Sequence, residues 1–576
     1  MSAWRALGAV RVGVVVMAGA ALAACATVPT SGPIEQGPVV DSGESAQFIR
    51  VIAAPPSVGA GPREIVRGFL EANASLEANH SIARRYLTPS ASENWDPDAS
   101  TTIYDQASLE LSGESADAIT ATLSVSGRLA ADGSLETIDP AETEKQVYQL
   151  EQSTEGSSSV PQWRITDPSP GVLISDVDLR RAYRQYQVHF PSDRSSVLVP
   201  DSRLLPVIGP SLPTALAEQV LAGPSDWLAR GVRTGPPIGT ELALGAVPVN
   251  DGVAVVDLTD QALAATDAQR RDLAAQFTWT LTQIPGVTYV QLRVGGESFD
   301  VPGAPELMDR SVWEDQDPDA LTKGPQGDIS VPYYTLEGSA VVRVAGSNRA
   351  ALTINAPEAD TLTDLGVSLD QRTAAAVSAD RANLWLVPLD GSADETSVEG
   401  RDLSGPSFDV DGRAWFTDEG RVMRLASRSQ AQEVPIRSEG FTAKVSAVHL
   451  ARDGVRVLLV SRGELHLGVI HSQGAEVVIG SVHRIATSVT GVLDATWRDS
   501  VTIDVLGPVE SRGLQVLRVD VGSGEVQQLG APPVPQEVAG APGAPTLVST
   551  EEGELFGNVG LQWREQGPAR SVAYPG

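Results

Sequence analysis

From about residue 331 onward the chain is periodic. Asp370, Asp411, Asp453 and Asp499 each fall in a short polar turn, at spacings of 41, 42 and 46 residues. The stretches "VSLDQRTAAAVSADRANLWLVPLDG" from Val367, "PSFDVDGRAWFTDEGRVMRLA" from Pro406, "AVHLARDGVRVLLVSRGELHLGVI" from Ala447 and "DATWRDSVTIDVLGPVESRGLQVLRVDVGSG" from Asp494 share one plan. Each is a strand, a tight turn, an alternating strand, a second turn and a third strand. A unit of this size buries its faces only against its neighbours. The period therefore predicts an all-β propeller of about six blades over residues 331–576. "YYTLEGSAVVRVAG" and "EEGELFGNVGLQW" are its expected first and last repeats, sharing a blade to close the ring. The aspartates are read as turn formers, because their side chains bond their own backbone. Trp385, Trp415 and Trp497 are expected in core or blade-edge packing.

The other end of the chain carries its only cysteine. Arg5 and Arg11 precede an apolar run, Val12 to Leu22, that is too short for a comfortable membrane span of about 20 residues. Leu22-Ala23-Ala24-Cys25 then resembles the bacterial lipobox. The resemblance implies cleavage between Ala24 and Cys25, with S-diacylglycerol and N-acyl (palmitate) groups on Cys25. Two or three acyl chains hold a protein on a membrane where one chain only visits it. Residues 1–24 are thus a signal peptide. The Pro/Gly/Ser/Thr-rich stretch that follows, residues 25–43, is a tether.

The remaining chain is long enough for three to four domains. A single cysteine excludes an intramolecular disulfide, so stability rests on the cores. A formal net charge of −31 excludes a general nucleic-acid binder.

Residues 44–182 read as an α+β domain. Pro62 opens a helix with Ile65, Val66, Phe69 and Leu70 on one face. A second helix is expected through Leu76, Ile82, Ala83, Tyr86 and Leu87, stopped near Thr88-Pro89. Strands follow: Ile119, Ala121, Leu123 and Val125 alternate on one face, then "EKQVYQLEQ" and "QWRITDP". The helical start, "GFLEANASLEANHSIARRYLTPSASENW", resembles that of NTF2-like domains. His80 is read as a surface residue.

Residues 183–302 run strand, helix, strands, helix, strand. "YRQYQVHFPSDRSSVLVPDSRLLP" reads as paired strands. Pro213 opens a helix with Leu216, Val220 and Leu221 inward, ended by Gly223-Pro224. "PIGTELALGAVPVNDGVAVVDLT" reads as two strands joined at Asn250-Asp251-Gly252. Thr266 caps a last helix bearing Leu273, Phe277, Thr280 and Leu281. Ala222-Gly223-Pro224, Ile238-Gly239-Thr240, "DGVAVVDLT" and "TLTQIPGVTYVQLRVGG" together resemble the GerMN domain. That family implies a second α+β fold, a binding or assembly module without a catalytic set. His189 is expected as half-buried structure and Asp257 as a turn or cap residue. Acidic, pattern-poor residues 303–330 read as a linker or peripheral strap.

No nucleophile elbow and no His-Glu-x-x-His are present. His449, His466, His471 and His483 fall in consecutive propeller strands, and alternating faces argue against a shared metal. The reading is therefore no catalytic set, no cofactor and no required metal, with any binding residues undetermined.

The full order of lipobox, α+β domain, GerMN domain and propeller resembles the actinobacterial LpqB lipoprotein family. That resemblance implies anchoring on the outer leaflet of the cytoplasmic membrane. It also implies partnership with the extracytoplasmic region of a sensor histidine kinase, that of the Mtr two-component system, with effects on cell-wall and cell-division physiology. Two alternatives stand beside this non-enzymatic reading. One is an exported propeller hydrolase or lyase acting on cell-wall or sugar-derived substrates, which a converging carboxylate or histidine cluster at the propeller mouth would favour. The other is a ligand-binding lipoprotein for cell-wall fragments.

Overall fold

The computed structural model describes residues 53–576 except 76–77, 116, 154–160, 207–210, 321–330, 356–360, 393–395, 428 and 561. Cys25, the leader and the tether lie outside the described residues.

The first domain wraps a sheet around one helix. Helix α1 (Pro62–Asn73) starts with Pro62 in its first turn and buries Ile65, Val66, Phe69 and Leu70. These meet the buried face of the long strand Ala118–Leu129, where Ile119, Ala121, Leu123 and Val125 alternate inward. Each of the larger of these side chains contributes about 1.5–3 kcal/mol when fully buried. The second helix is shorter than expected. Only Ser81–Arg84 is α-helical there, and Leu76 lies outside the described residues. Thr88-Pro89 does not merely stop it. Thr88 caps a new helix, α2 (Pro89–Asn94), by accepting a hydrogen bond from Ala91 N. The sheet is mixed rather than antiparallel, because Thr101–Tyr104 pairs in parallel with Val172–Ser175.

In the second domain, β-strands Tyr183–Pro191 and Leu198–Pro206 form a hairpin. Strands Val253–Leu258 and Tyr289–Val294 pair in parallel and are joined through helix α3 (Asp267–Leu281). Thr266 caps α3 as expected. From Leu273 to Leu281 every residue of α3 is buried, its polar ones included. Three of those have partners: Gln276 donates to His189 O and accepts from Gly235 N, Thr278 donates to Ala274 O, and Thr280 accepts from His189 N. Asp251 and Gly252 both have positive φ, as the expected tight turn requires. The preceding segment is not the long strand expected. Val249–Asn250 pairs with Val253–Leu258, Leu242 adds a single bridge to Leu258, and Ile238 is fully exposed.

The expected linker is a strap over its described part. Met308 bridges to Val290, and the fully buried Trp313 donates its indole N–H to Thr278 of α3. Asp319 then accepts from the backbone and hydroxyl of Ser500 in the propeller.

Six sheets make the propeller. Blade 2 spans Thr363–Glu399, blade 3 Ser407–Glu433, blade 5 Asp494–Gly530 and blade 6 Pro535–Pro568. Blade 4 has a fifth strand, because Ile436–Arg437 adds in parallel to the outer strand Glu476–Ile485. Ring closure differs from expectation. "EEGELFGNVGLQW" belongs wholly to blade 6, while Val572–Ala573 pairs with Tyr333–Glu337 and becomes the inner strand of blade 1. Asp370, Asp453 and Asp499 accept backbone N–H groups at their turns. At the second of the four turns Asp409, not Asp411, holds the backbone, and Asp411 pairs with Arg424. Trp415 is fully buried and donates to Asp409, Trp497 donates to His449 O, and Trp385 packs against the core of blades 1 and 2.

The domains share cores and buried polar contacts. Val455 and Val469 of blade 4 lie in the same apolar cluster as α3 and its sheet. A methyl group on Gly231 would come within 2.4 Å of Val455, so only glycine lets the chains approach there. Ser192 and Ser195 both donate to Asp453 O, and Trp227 meets His483 edge-on at 5.2 Å. Arg203 of the second domain joins Asp132 of the first at 2.8 Å.

Candidate functional site

The inner strands of the blades surround a cavity of about 400 Å³. Side chains at the start of these strands line it: Asp364 from blade 2, His449 from blade 4, Asp494 from blade 5 and Glu537 from blade 6. Asp364 sits at a bulge, where the register shifts between Thr363 and Gly366, and its φ is +49°. Gly366 allows the approach of blade 3, since a Cβ there would lie 2.3 Å from Pro406 O. On the same wall Arg381 donates to Leu403 O and lies 3.9 Å from Asp364. At the far end of the inner strands Arg452 donates to Pro575 O.

The acids are held by backbone as well as by each other. Asp494 accepts from Ala495 N and Val538 N. Burial nevertheless pushes its carboxyl up to about 7, and the charge of Asp364 adds to the rise. Glu537 accepts from Val572 N. Burial and then the neighbouring Asp364 charge raise it well above the ordinary range, and its side chain is in hydrogen-bond contact with Asp364. His449 Nε2 lies 3.7 Å from Asp494 Oδ1. This is not an ion pair at neutral pH, because burial lowers His449 to about 4.

A carboxylic acid beside a carboxylate is the geometry of general acid–base work. A nucleophile is a different matter. Among the lining serines, Ser407 accepts from Leu450 N, Ser446 donates to Val460 O and Ser404 accepts from Thr417 N. None of the three is bonded to a base in these contacts.

The other sequence candidates lie apart. His466 packs edge-on against Phe441 and His483 against Trp227, while the His471 ring sits 3.4 Å from Val469 O. Among the described residues no three His, Cys, Asp or Glu side chains converge as a metal site. His189 is more buried than expected: it is sealed against Trp279, and burial lowers it to about 3. His80 is half-buried against Trp95 rather than free on the surface. Asp257 accepts from Gly296 N at the end of its strand, a turn role. Sequence reasoning missed Asp364, Glu537 and Arg381. One signal was present, an acid five or six residues before a turn aspartate, in "DLGVSLD" and "DATWRD".

This architecture defines a class: a GerMN module docked onto a six-bladed propeller, with a helix-and-sheet domain at its N-terminal side. Family models agree. The N-terminal domain of lipoprotein LpqB matches residues 55–180, the LpqB beta-propeller domain matches 336–575, and the model described as sporulation and spore germination matches 187–300. The chain belongs to the LpqB lipoprotein family. Lipoprotein LpqB of Thermobifida fusca is 27% identical over 96% of this chain and 97% of its own length. That of Streptomyces coelicolor is 28% identical over 96% of both chains. Among solved structures, the first GerMN domain of GerM from Bacillus subtilis aligns at 22% identity with a TM-score of 0.19, covering 22% of this chain and 98% of that domain.

Proposed function

We propose that this chain is anchored on the outer leaflet of the cytoplasmic membrane through lipids on Cys25, binds the extracytoplasmic region of a sensor histidine kinase, and modulates it without covalent chemistry. Through the kinase it affects cell-wall and cell-division physiology. The observation that carries this reading is the apolar core shared by the GerMN domain and blade 4. Domains joined in this way present fixed surfaces, and a standard interface needs only about 800 Å² per partner. One such surface lies on the GerMN loops. Glu241 N donates to Thr259 Oγ1 and Thr259 N to Glu241 O, so two loops run side by side. They expose Ile238, Leu244 and Leu263, with the exposed acids Glu241 and Asp260 among them. An apolar patch with an acidic rim suits a partner bearing apolar side chains flanked by Lys or Arg.

The family name and Leu22-Ala23-Ala24-Cys25 support the anchor. No helix among the described residues is long and apolar enough to cross a membrane. Replacing Cys25 by alanine is expected to shift the protein from the membrane to the soluble fraction, or to leave an uncleaved precursor. Fractionation with mass determination checks this. Normal processing with full membrane retention would overturn the anchor.

A second reading, a propeller hydrolase or lyase, is favoured by one observation, the Glu537 acid beside the Asp364 carboxylate.

A further inference from the structure

We infer that the propeller channel is a binding site for a small organic cation, a molecule that presents a protonated amine to Asp364, Asp494 and Glu537. This goes beyond contact with a kinase and does not depend on it.

The propeller shows how it treats buried acids elsewhere. Asp409 pairs with Arg424 at 2.8 Å, Asp453 with Arg456 at 2.7 Å and Asp504 with Arg518 at 2.9 Å. In three blades, then, an inward carboxylate is matched by an arginine of the same blade. The channel acids break this pattern. Asp364 has only Arg381 at 3.9 Å, and that guanidinium is already shared with Leu403 O and Asp402. Asp494 faces a neutral histidine, and Glu537 faces another acid. Arg452 is turned to Pro575 O. A buried carboxylate without a cation is costly, and a bound cation removes that cost.

A second observation is independent of the acids. His449 Nε2 is sealed from solvent and has no hydrogen-bond partner. Buried polar atoms are normally satisfied, so an orphan at the wall of a cavity marks a place where a donor is missing. A ligand ammonium that displaces Asp494 slightly toward itself completes both groups.

Size and spacing select an organic ligand over a metal ion. The acids do not converge into a metal-holding group, and about 400 Å³ lies in the range of small-molecule sites. The acids come from blades 2, 5 and 6, with Glu537 in contact with Asp364 and with Asp494 beside His449. A molecule with one or more amines on a short carbon frame spans them.

The test is calorimetric titration of the detergent-solubilised lipidated chain with cadaverine and spermidine. Pentanediol serves as the uncharged frame, and calcium chloride as the metal. Physiological ionic strength screens loose attraction to the acidic surface. One saturable site for the amines is expected, with none for pentanediol or calcium. Asp364→Asn is expected to weaken it by about tenfold or more. Asparagine removes the charge, keeps the size and tolerates the positive φ of this position, so the fold and melting temperature are retained. Asp370→Asn, a surface-turn change, is expected to leave affinity unaltered. A measurement on the wild-type chain guards against a misfolded variant. Between about pH 8 and about pH 5 the amines stay charged while Asp494 gains a proton beside His449, Asp364 and Glu537, so affinity is expected to fall. The inference is overturned by no amine binding, by equal binding to Asp364→Asn, by calcium binding in place of the amines, or by affinity that does not change with pH.

Discussion

Arg203→Ala is expected to lower the stability of the folded chain by about 3–5 kcal/mol, the range seen when one partner of a buried ion pair is removed. Arg203 is fully buried in the strand Leu198–Pro206. It holds Asp132 at 2.8 Å, Asp201 at 2.9 Å and the carbonyl of Gly223 at 3.3 Å. Asp201 also accepts from Ser225 N and Oγ, so its carboxylate is fixed in place. Burial raises Asp201 above the ordinary carboxylate range even with the guanidinium in contact. Without Arg203 a fully buried carboxylate remains, and the first domain loses its pin to the second. Lysine is not expected to rescue, because one ammonium cannot reach three acceptors in a fixed fork. Thermal and urea melts check this. A loss under about 1 kcal/mol would mean the pair is ornamental to the docking.

The second large effect concerns pH. Asp494 titrates near 7 in the folded chain, against about 3.9 when unfolded. The sign follows directly. Above both values the acid is charged in either state, and the folded state bears the full cost of burying it. As pH falls through 7 the folded state takes up a proton first, and that cost is progressively removed. The contribution is on the order of 4 kcal/mol between pH extremes. Glu537, raised by burial and by Asp364, acts in the same direction. Asp494→Asn should therefore flatten the stability profile between about pH 8 and pH 5 relative to the wild type. The slope is the readout, because Asn also gives up one of the two backbone bonds that Asp494 accepts. Parallel profiles for the two proteins would show that Asp494 titrates normally.

Much of the fold was legible because strands announce themselves by period. Ile119, Ala121, Leu123 and Val125 could only be one buried face, and the turn aspartates marked the blades. Closure was not legible: "SVAY" is too short for any period to show, yet Val572 and Ala573 complete blade 1. The sequence left a linker and a strap open for residues 303–330, because the acids there outnumber the anchors. Met308 and Trp313 carried the signal, two large apolar side chains in an otherwise polar stretch. The channel was hidden for a further physical reason. A polar residue on an inner strand and one on a solvent face have the same place in an alternating pattern. Asp364 and Glu537 therefore looked like surface. Of the four propeller histidines, His449 shares its wall with Asp494, while His466, His471 and His483 pack against other neighbours.

Contact between the GerMN face and a sensor kinase can be read in place on the membrane. The most direct measurement places a photo-crosslinking amino acid at position 238 of the lipidated chain in native membranes and identifies the joined peptides by mass spectrometry. Adducts to the extracytoplasmic segment of a sensor histidine kinase are expected, and their loss when Leu244 and Leu263 are replaced by aspartate. Adducts only to lipid or to other proteins, with no kinase peptide joined, would contradict it.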